Sequence, residues 1–242
     1  VISPHNEAIR AEFGRGFSDW QRERYGRTVT VDWRVIGGTT EIMRYLASEM
    51  TTSFRAWWRA RGGEWPSDGA SMILDRRFDP SAAPPEDSAE RAAWDMQKAM
   101  LSAFRSRDDP AQFGCRIDLF FGGGTYDHGK AGAQGLTVPP WGANGPPPGL
   151  FRDAEGRVLI PERRGGEVWR TDTFFGCALS TFGICYNFDR LRELGFDRAP
   201  RAWDDLADPR FERQIGVADP TKSGSIAKAF EMIVHERIAQ SV

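Results

Sequence analysis

Three stretches of the chain place glycines and hydroxyl residues where a short apolar strand gives way to a helix. They read VDWRVIGGTTEI (Val31 to Ile42), RIDLFFGGGTYD (Arg116 to Asp127) and QIGVADPTKSGSIAKAF (Gln214 to Phe230). A truncated copy, VISPHNEAI (Val1 to Ile9), opens the sequence. A helix start leaves backbone N–H groups without intrahelical partners and carries about half a positive charge from the macrodipole. Several such starts gathered at the carboxyl edge of a parallel sheet would form a crevice for a small, anionic ligand. The strongest single segment is Asp219-Pro220-Thr221-Lys222-Ser223-Gly224-Ser225. There Ser223 or Ser225 can cap the helix that Ile226 continues, and the N–H groups of Gly224 and Ser225 can donate to an oxyanion. Taken alone, the segment is better read as an ordinary capped helix; its likeness to the other strand-to-helix turns is what favours a site.

Other chemistries find less support. Gly124 to Lys130 nearly matches the phosphate-binding loop G-x-x-x-x-G-K-[ST], but Ala131 stands where the magnesium-binding hydroxyl belongs. The better reading is a glycine turn whose backbone comes close to a ligand or a neighbouring strand. The three histidines are His5, His128 and His235. His5, in Ser3-Pro4-His5-Asn6, lies where the crevice is expected, with helix capping and packing as its plain role. His235-Glu236 lacks the second histidine of a zinc-protease helix, and no G-x-S-x-G nucleophile elbow occurs. No cofactor or metal-ligand set is read. The odd count of cysteines (Cys115, Cys177 and Cys185) excludes a fully paired disulfide framework; three small buried hydrophobes are expected, with one disulfide plus one free thiol as the alternative. Trp141, Trp169 and Tyr126 could stack a ring or a cation, although aromatic residues more often serve in cores.

The elements that must position these residues follow from periodicity. Ile9, Phe13, Phe17 and Trp20 lay one apolar stripe along a helix over Asn6 to Arg24, stopped by Gly26, and the stripe is expected to face a sheet. Thr28 to Ile36 alternates as a strand. Thr39 or Thr40 caps a second helix running to about Met50. Gly62 to Glu90, rich in Gly and Pro, reads as a surface insertion. Asp87 and Glu90 open a helix to about Ser106, with Trp94, Met100, Leu101 and Phe104 facing the core. Ile117 to Phe121 is a continuous apolar strand. Pro139 to Pro148 is a loop. Further strands are expected at Arg157 to Ile160, Val168 to Leu179, Phe182 to Tyr186 and Gly216 to Ala218. A short helix spans Asp189 to Leu194, a helical turn Ala202 to Leu206. Ile226, Phe230, Val234 and Ile238 stripe the last helix. Strands alternating with helices give an α/β class with a largely parallel sheet.

With 40% hydrophobic residues and nine tryptophans in 242 residues, the chain can bury a sizeable core. A net charge of -2 gives no nucleic-acid footprint, and no apolar run is long enough to span a bilayer. The sequence begins inside an apparent strand, as though a leader had been removed.

The order of VISPHNEAIRAEFGRGFSDW, VDWRVIGGTTEI, RIDLFFGGGTYD, FFGCALSTFGICYNFDRLRELGF and PRAWDDLADPRFERQIGVADPTKSGS resembles the extracellular solute-binding proteins of bacterial ABC importers. It is most similar to the iron/sugar-phosphate/thiamine/polyamine-like group. Ile184-Cys185-Tyr186-Asn187 and Pro200-Arg201-Ala202-Trp203-Asp204-Asp205-Leu206 carry the resemblance best. It implies a type II periplasmic-binding-protein fold, with two lobes that close on a ligand and dock on a membrane permease, outside the cytoplasm. Residues 1–179 would form most of lobe one and 180–242 the opening of lobe two, with a hinge near 179–182. The chain would then be C-terminally incomplete. The ligand would carry phosphate, sulfate or carboxylate groups, or be a metal complex. The implied cleft draws on Ser3, His5, Gly38, Thr39, Thr40, Gly123, Gly124, Thr125, Ser180, Thr181, Asp219, Ser223, Gly224 and Ser225. Ferric-ion-binding members place a histidine near His5, but their tyrosine pair has no counterpart here.

Two other classes compete. An enzyme acting on a small phosphorylated substrate could use Asp219 or His5 as acid/base, although no paired acid/base constellation is visible. A ligand-sensing module of a regulator shares the same fold, although no helix-turn-helix segment is read.

Overall fold

A computed structural model describes residues 1–106, 112–164, 166–179, 182–221 and 223–240, without the side chains of residues 143 and 240. It divides into two compact units, Val1–Gly176 and Cys177–Val242. The described residues are helix-rich, with a minor strand component.

The first unit is organised by a single buried residue near the start of the chain. Ile2, fully buried, pairs in parallel with Arg34 on one side and Phe120 on the other. Its N–H donates to the Leu119 carbonyl at 2.9 Å and its carbonyl accepts from Phe121 N at 2.9 Å. On the other side Ser3 N donates to Arg34 O at 3.2 Å and Arg34 N to Val1 O at 2.8 Å. Three segments therefore run side by side in one direction, with the first in the middle. The pairing is shorter than the expected strands Thr28 to Ile36 and Ile117 to Phe121, each of which contributes one bridged residue. The central segment explains this. Between the bridge at Ile2 and the helix that Asn6 caps, it has little backbone left to offer a ladder.

Helix α1 (Glu7–Tyr25) stops at Gly26 as expected, but Asn6, expected as its first residue, is its cap, the role expected of His5. Asn6 Oδ1 accepts from Ile9 N at 3.0 Å, and Gly26 closes the helix in the left-handed region at φ 66°. Its apolar stripe is not buried, however. Phe13, Phe17 and Trp20 are all exposed, and they pack on one another, on Tyr25 and on Phe121 rather than beneath a sheet. With the pairing reduced to single bridges, no broad sheet face exists there to cover them.

Helix α2 (Thr39–Ala60) supplies the main core. Ile42, Leu46, Met50 and Phe54 recur every fourth residue and are nearly or fully buried. Each such side chain contributes about 1.5–3 kcal/mol of burial. The helix runs a further ten residues past the expected end at Met50 (51–60), because Phe54 anchors it. Phe54 meets Trp57, Trp58, Trp65, Phe104 and Phe113 at ring separations of 5.1 to 6.1 Å. The stretch expected as a surface insertion is part of this core. It forms α3 (Gly69–Leu74), whose Ile73 is fully buried, and Trp65 packs against the same cluster. Helix α4 (Arg91–Ser106) starts a turn later than expected and buries Met100, Leu101 and Phe104. Trp94 is only half-buried, ringed by Phe78, Arg91 and Lys98. Helix α5 (Thr125–Ala133) packs on α2.

Beyond α5, the strands expected at Arg157 to Ile160 and Val168 to Leu179 reduce to a small antiparallel hairpin and two isolated bridges. The hairpin pairs β1 (Arg163–Arg164) with β2 (Glu167–Val168), Arg163 opposite Val168. The bridges join Arg152 to Val158 and Arg170 to Phe175. Prolines and glycines through 139–149 leave few donors and little stiffness for longer ladders.

The second unit is built on short helices. Asn187 Oδ1 accepts from Arg190 N at 3.0 Å to cap α6 (Phe188–Glu193). A 3-10 turn spans Trp203–Ala207, where Asp205 accepts from Arg201 N at 2.7 Å. Phe196 and Phe211 stack at 4.4 Å, and the Arg210 guanidinium lies 3.7 Å over Phe196. Helix α7 (Gly224–Gln240) closes the described chain. Its expected core stripe is exposed at Phe230, Val234 and Ile238, while Ala229 is the buried position. The expected strands Phe182 to Tyr186 and Gly216 to Ala218 are irregular backbone, since no described neighbour offers them a ladder. The cysteines differ from expectation too. Cys177 and Cys185 are exposed and Cys115 is half-buried, because the first two sit on irregular, solvated backbone.

Candidate functional site

The parallel pairing at Ile2 decides where three of the four loop tips go. Just beyond it the central segment delivers Ser3 and His5. The flanking segments deliver Gly37 to Thr40 and Gly122 to Thr125. Ser3 is completely buried, and its Oγ accepts from His5 N at 3.2 Å. The His5 carbonyl accepts from the Arg10 guanidinium at 3.2 Å, and the His5 ring meets Phe121 edge-on at 5.2 Å.

The glycine turn is pressed against both neighbours. Gly122 and Gly123 hold φ of 102° and 87°, a region that side chains rarely enter. A Cβ at Gly122 would lie 2.6 Å from His5 Nε2, and one at Gly123 would lie 2.9 Å from Thr39 Cγ2. The structure thus brings Ser3, His5, Thr39, Gly123 and their immediate neighbours together. The other tips are those of α2 and α5, with Gly38 and Gly124 at the N-cap positions. Neither helix start is capped by a side chain. Among the described residues no side-chain acceptor is seen on the first-turn amides there, the condition under which a helix start takes an anion.

The turn is also held from behind by residues that sequence reading passed over. His128 Nε2 bonds the Gly122 carbonyl at 2.7 Å, with its ring between Phe120 (4.6 Å) and Phe174 (5.9 Å). Its place one turn into α5 was the available signal. Thr125 Oγ1 reaches the Glu167 carboxylate of β2 at 3.5 Å. Each helix start carries its own carboxylate, Glu41 on α2 and Asp127 on α5. Glu41 Oε2 is buried and meets no donor among the described residues.

This geometry answers the phosphate-loop question. Residues 125–130, which would have to wrap a phosphate as a loop, are already helical, so Lys130 sits in the second turn of α5. Among the described residues no group of three or more His, Cys, Asp or Glu side chains could hold a metal ion. Of the aromatic candidates, Trp169 is buried against Gly176, Tyr126 is solvated, and Trp141 lines a separate hollow.

The remaining expected site residues belong to the second unit or to undescribed positions. Ser180 and Thr181 lie outside the described residues. Ser223 caps α7, its Oγ accepting from Ile226 N at 3.3 Å, and Gly224 and Ser225 form the exposed first turn. Asp219 folds the preceding turn. Its Oδ1 accepts from Thr221 Oγ1 at 2.7 Å and Thr221 N at 2.9 Å. Those two bonds, the hydroxyl first, hold its carboxyl below the usual carboxylate range. A carboxylate so held is a poor proton donor near neutrality, which weakens an acid/base role.

Among the comparisons with known proteins, the family match falls in the later half of the chain. Residues 168–237 match the family described as bacterial extracellular solute-binding protein. An uncharacterized protein of Haemophilus influenzae (strain ATCC 51907 / DSM 11121 / KW20 / Rd) is 34% identical over 119 residues, which is 49% of this chain. The matched stretch spans 31% of that relative's own length. No solved structure matches the chain. No described helix is long and apolar enough to cross a membrane.

Proposed function

We propose that this protein is the substrate-binding component of an ABC importer, working in the periplasm or outside the cell. It would capture a small anionic ligand on the loop tips that follow Ile2, Arg34 and Phe120. The observation that carries this reading is the convergence of two side-chain-free helix starts, at Thr39 and Thr125, on Ser3, His5 and the Gly122–Gly124 turn. The family match over residues 168–237 supports it from a different part of the chain.

The chemistry of the tips narrows the ligand. Backbone N–H groups at the helix starts donate, so the ligand presents phosphate, sulfate or carboxylate oxygens. The buried Glu41 oxygen accepts, so a ligand that also donates, such as a protonated phosphate or a hydroxy acid, suits the pair. In this reading residues 1–179 act as one lobe and 180–242 open the second, hinging near 179–182 in a type II fold. The turn at Ser223 to Ser225 adds contacts made only on closure, and those differential contacts drive it. A membrane permease then takes the closed form. Asp219 serves as a turn residue and not as an acid/base, so turnover is not expected.

Native mass spectrometry of protein purified without added ligand tests the proposal. A retained small anion is the expected result. Hydrolysis of phosphate esters by the purified protein would instead support the enzyme reading.

A further inference from the structure

A hollow lies in the first unit, lined by side chains other than those of the glycine turn. It is open to solvent on one side and offers about 420 Å³, within the range of small-molecule sites. Trp141, Phe151 and Val168 form its apolar wall, and Arg170, Glu162 and Asp172 its polar side. Trp141, Phe151 and Phe175 make a triangle of rings, with centroids 5.5 to 6.0 Å apart. The Arg170 guanidinium covers Phe151 at 4.1 Å, and a smaller hollow of about 230 Å³ behind Pro146 to Pro148 shares both residues.

Arg170 is incompletely satisfied. Its Nη2 donates to Glu162 Oε1 at 3.0 Å, but its Nε is buried and finds no acceptor among the described residues. An arginine offers Nε and Nη2 as one edge that fits both oxygens of a carboxylate. Glu162 takes only half of that edge. Its side chain is 80% exposed, so solvent screens the pair and Glu162 is held there only weakly. A burdened, half-used arginine edge beside a ring-lined wall calls for an acid carrying its own ring.

We infer that this hollow is a binding site for small aromatic carboxylates. The ring packs among Trp141, Phe151 and Val168, and the carboxylate displaces Glu162 to take Nε and Nη2 of Arg170 together. The unmet donor is what selects an anion over a cation, since an ammonium ligand would leave Nε as it is. The inference uses only residues between 141 and 175 and stands whether or not the loop-tip site binds a solute.

Benzoate is the probe, with benzyl alcohol and benzylamine as controls of the same ring, titrated calorimetrically into the full chain. Benzoate is expected to bind and the two controls to bind at least about tenfold more weakly. Arg170→Gln should weaken benzoate by about tenfold or more. Glu162→Ala provides a test that a folding defect cannot imitate. It removes the competing carboxylate from an exposed position, so benzoate should bind more tightly than to the unaltered protein. Absence of benzoate binding at millimolar concentration, equal binding of benzylamine, or weaker binding to Glu162→Ala would each overturn the inference.

Discussion

Gly123 stands so close to Thr39 that a single added methyl would come within 2.9 Å of the threonine Cγ2. The contact joins the start of α5 to the start of α2, and it is possible only because residue 123 has no side chain and holds φ of 87°. Gly123→Ala therefore meets both a steric and a backbone penalty. Chemical unfolding should show the first unit destabilised by about 1–3 kcal/mol. Gly124→Ala, where a Cβ would meet nothing within 4 Å and φ is -101°, should be nearly neutral.

Asn6 ties the loop carrying His5 to α1 through its bond to Ile9 N. Asn6→Ala should cost about 1 kcal/mol and Asn6→Asp close to nothing, because an aspartate keeps the acceptor and suits the helix dipole. Urea midpoints of the two variants check this. Equal losses would show that the cap is not the source of the stability.

The cap of α1 fell to Asn6 and not to His5, whereas Gly26, which stops the helix, was legible because it acts within one turn of the chain. The same holds for the starts of α2 and α5, announced by Gly38-Thr39 and Gly124-Thr125, and for α6 between Asn187 and Gly195. What local reading missed depended on distant partners. Thr51, Thr52 and Ser53 are weak helix formers, yet α2 continues through them because Phe54 is held among five rings. Gly62 to Glu90 looked like surface, yet Ile73 is fully buried. Alternation in Thr28 to Ile36 marked an extended segment, but ladder length was set by how little backbone the Ile2 segment could offer. In the candidate site the glycine turn and Thr39 were readable as loop-tip chemistry. His128 as the brace of Gly122 was not, because that bond exists only once the α5 turn is folded.

In the second unit Asp208 accepts from the Arg210 guanidinium at 2.7 Å and from Arg210 N at 2.9 Å. The side-chain bond first, then the backbone one, lowers its pKa to about 2. A carboxyl depressed in the folded state contributes stability above its unfolded pKa of about 3.9. That contribution is lost as pH falls through about 2. Asp208→Asn should thus melt below the unaltered protein at pH near neutrality, and the gap should narrow as the pH is taken from about 4 towards 2. A gap independent of pH would assign the effect to packing of Asp208 and not to its charge.

Ser223 and Ser225 separate capping from ligand contact. Ser223 Oγ caps α7 through Ile226 N, so Ser223→Ala should lower stability by about 1 kcal/mol. Among the described residues no such bond involves the exposed Ser225, so Ser225→Ala should leave stability unchanged. If the turn contacts solute as proposed, the double variant should bind it at least about tenfold more weakly, near 1.4 kcal/mol. Unchanged affinity would remove this turn from the site.

The most direct test of the loop-tip site follows the backbone amides of the isotopically labelled, ligand-free protein by NMR. Inorganic phosphate, sulfate and small hydroxy acids are titrated in turn. At least one should saturate, with the largest shifts at the amides of 38–41 and 122–126 and smaller ones at Ser3 and His5. Saturable shifts that cluster elsewhere and leave those amides unmoved would contradict the account.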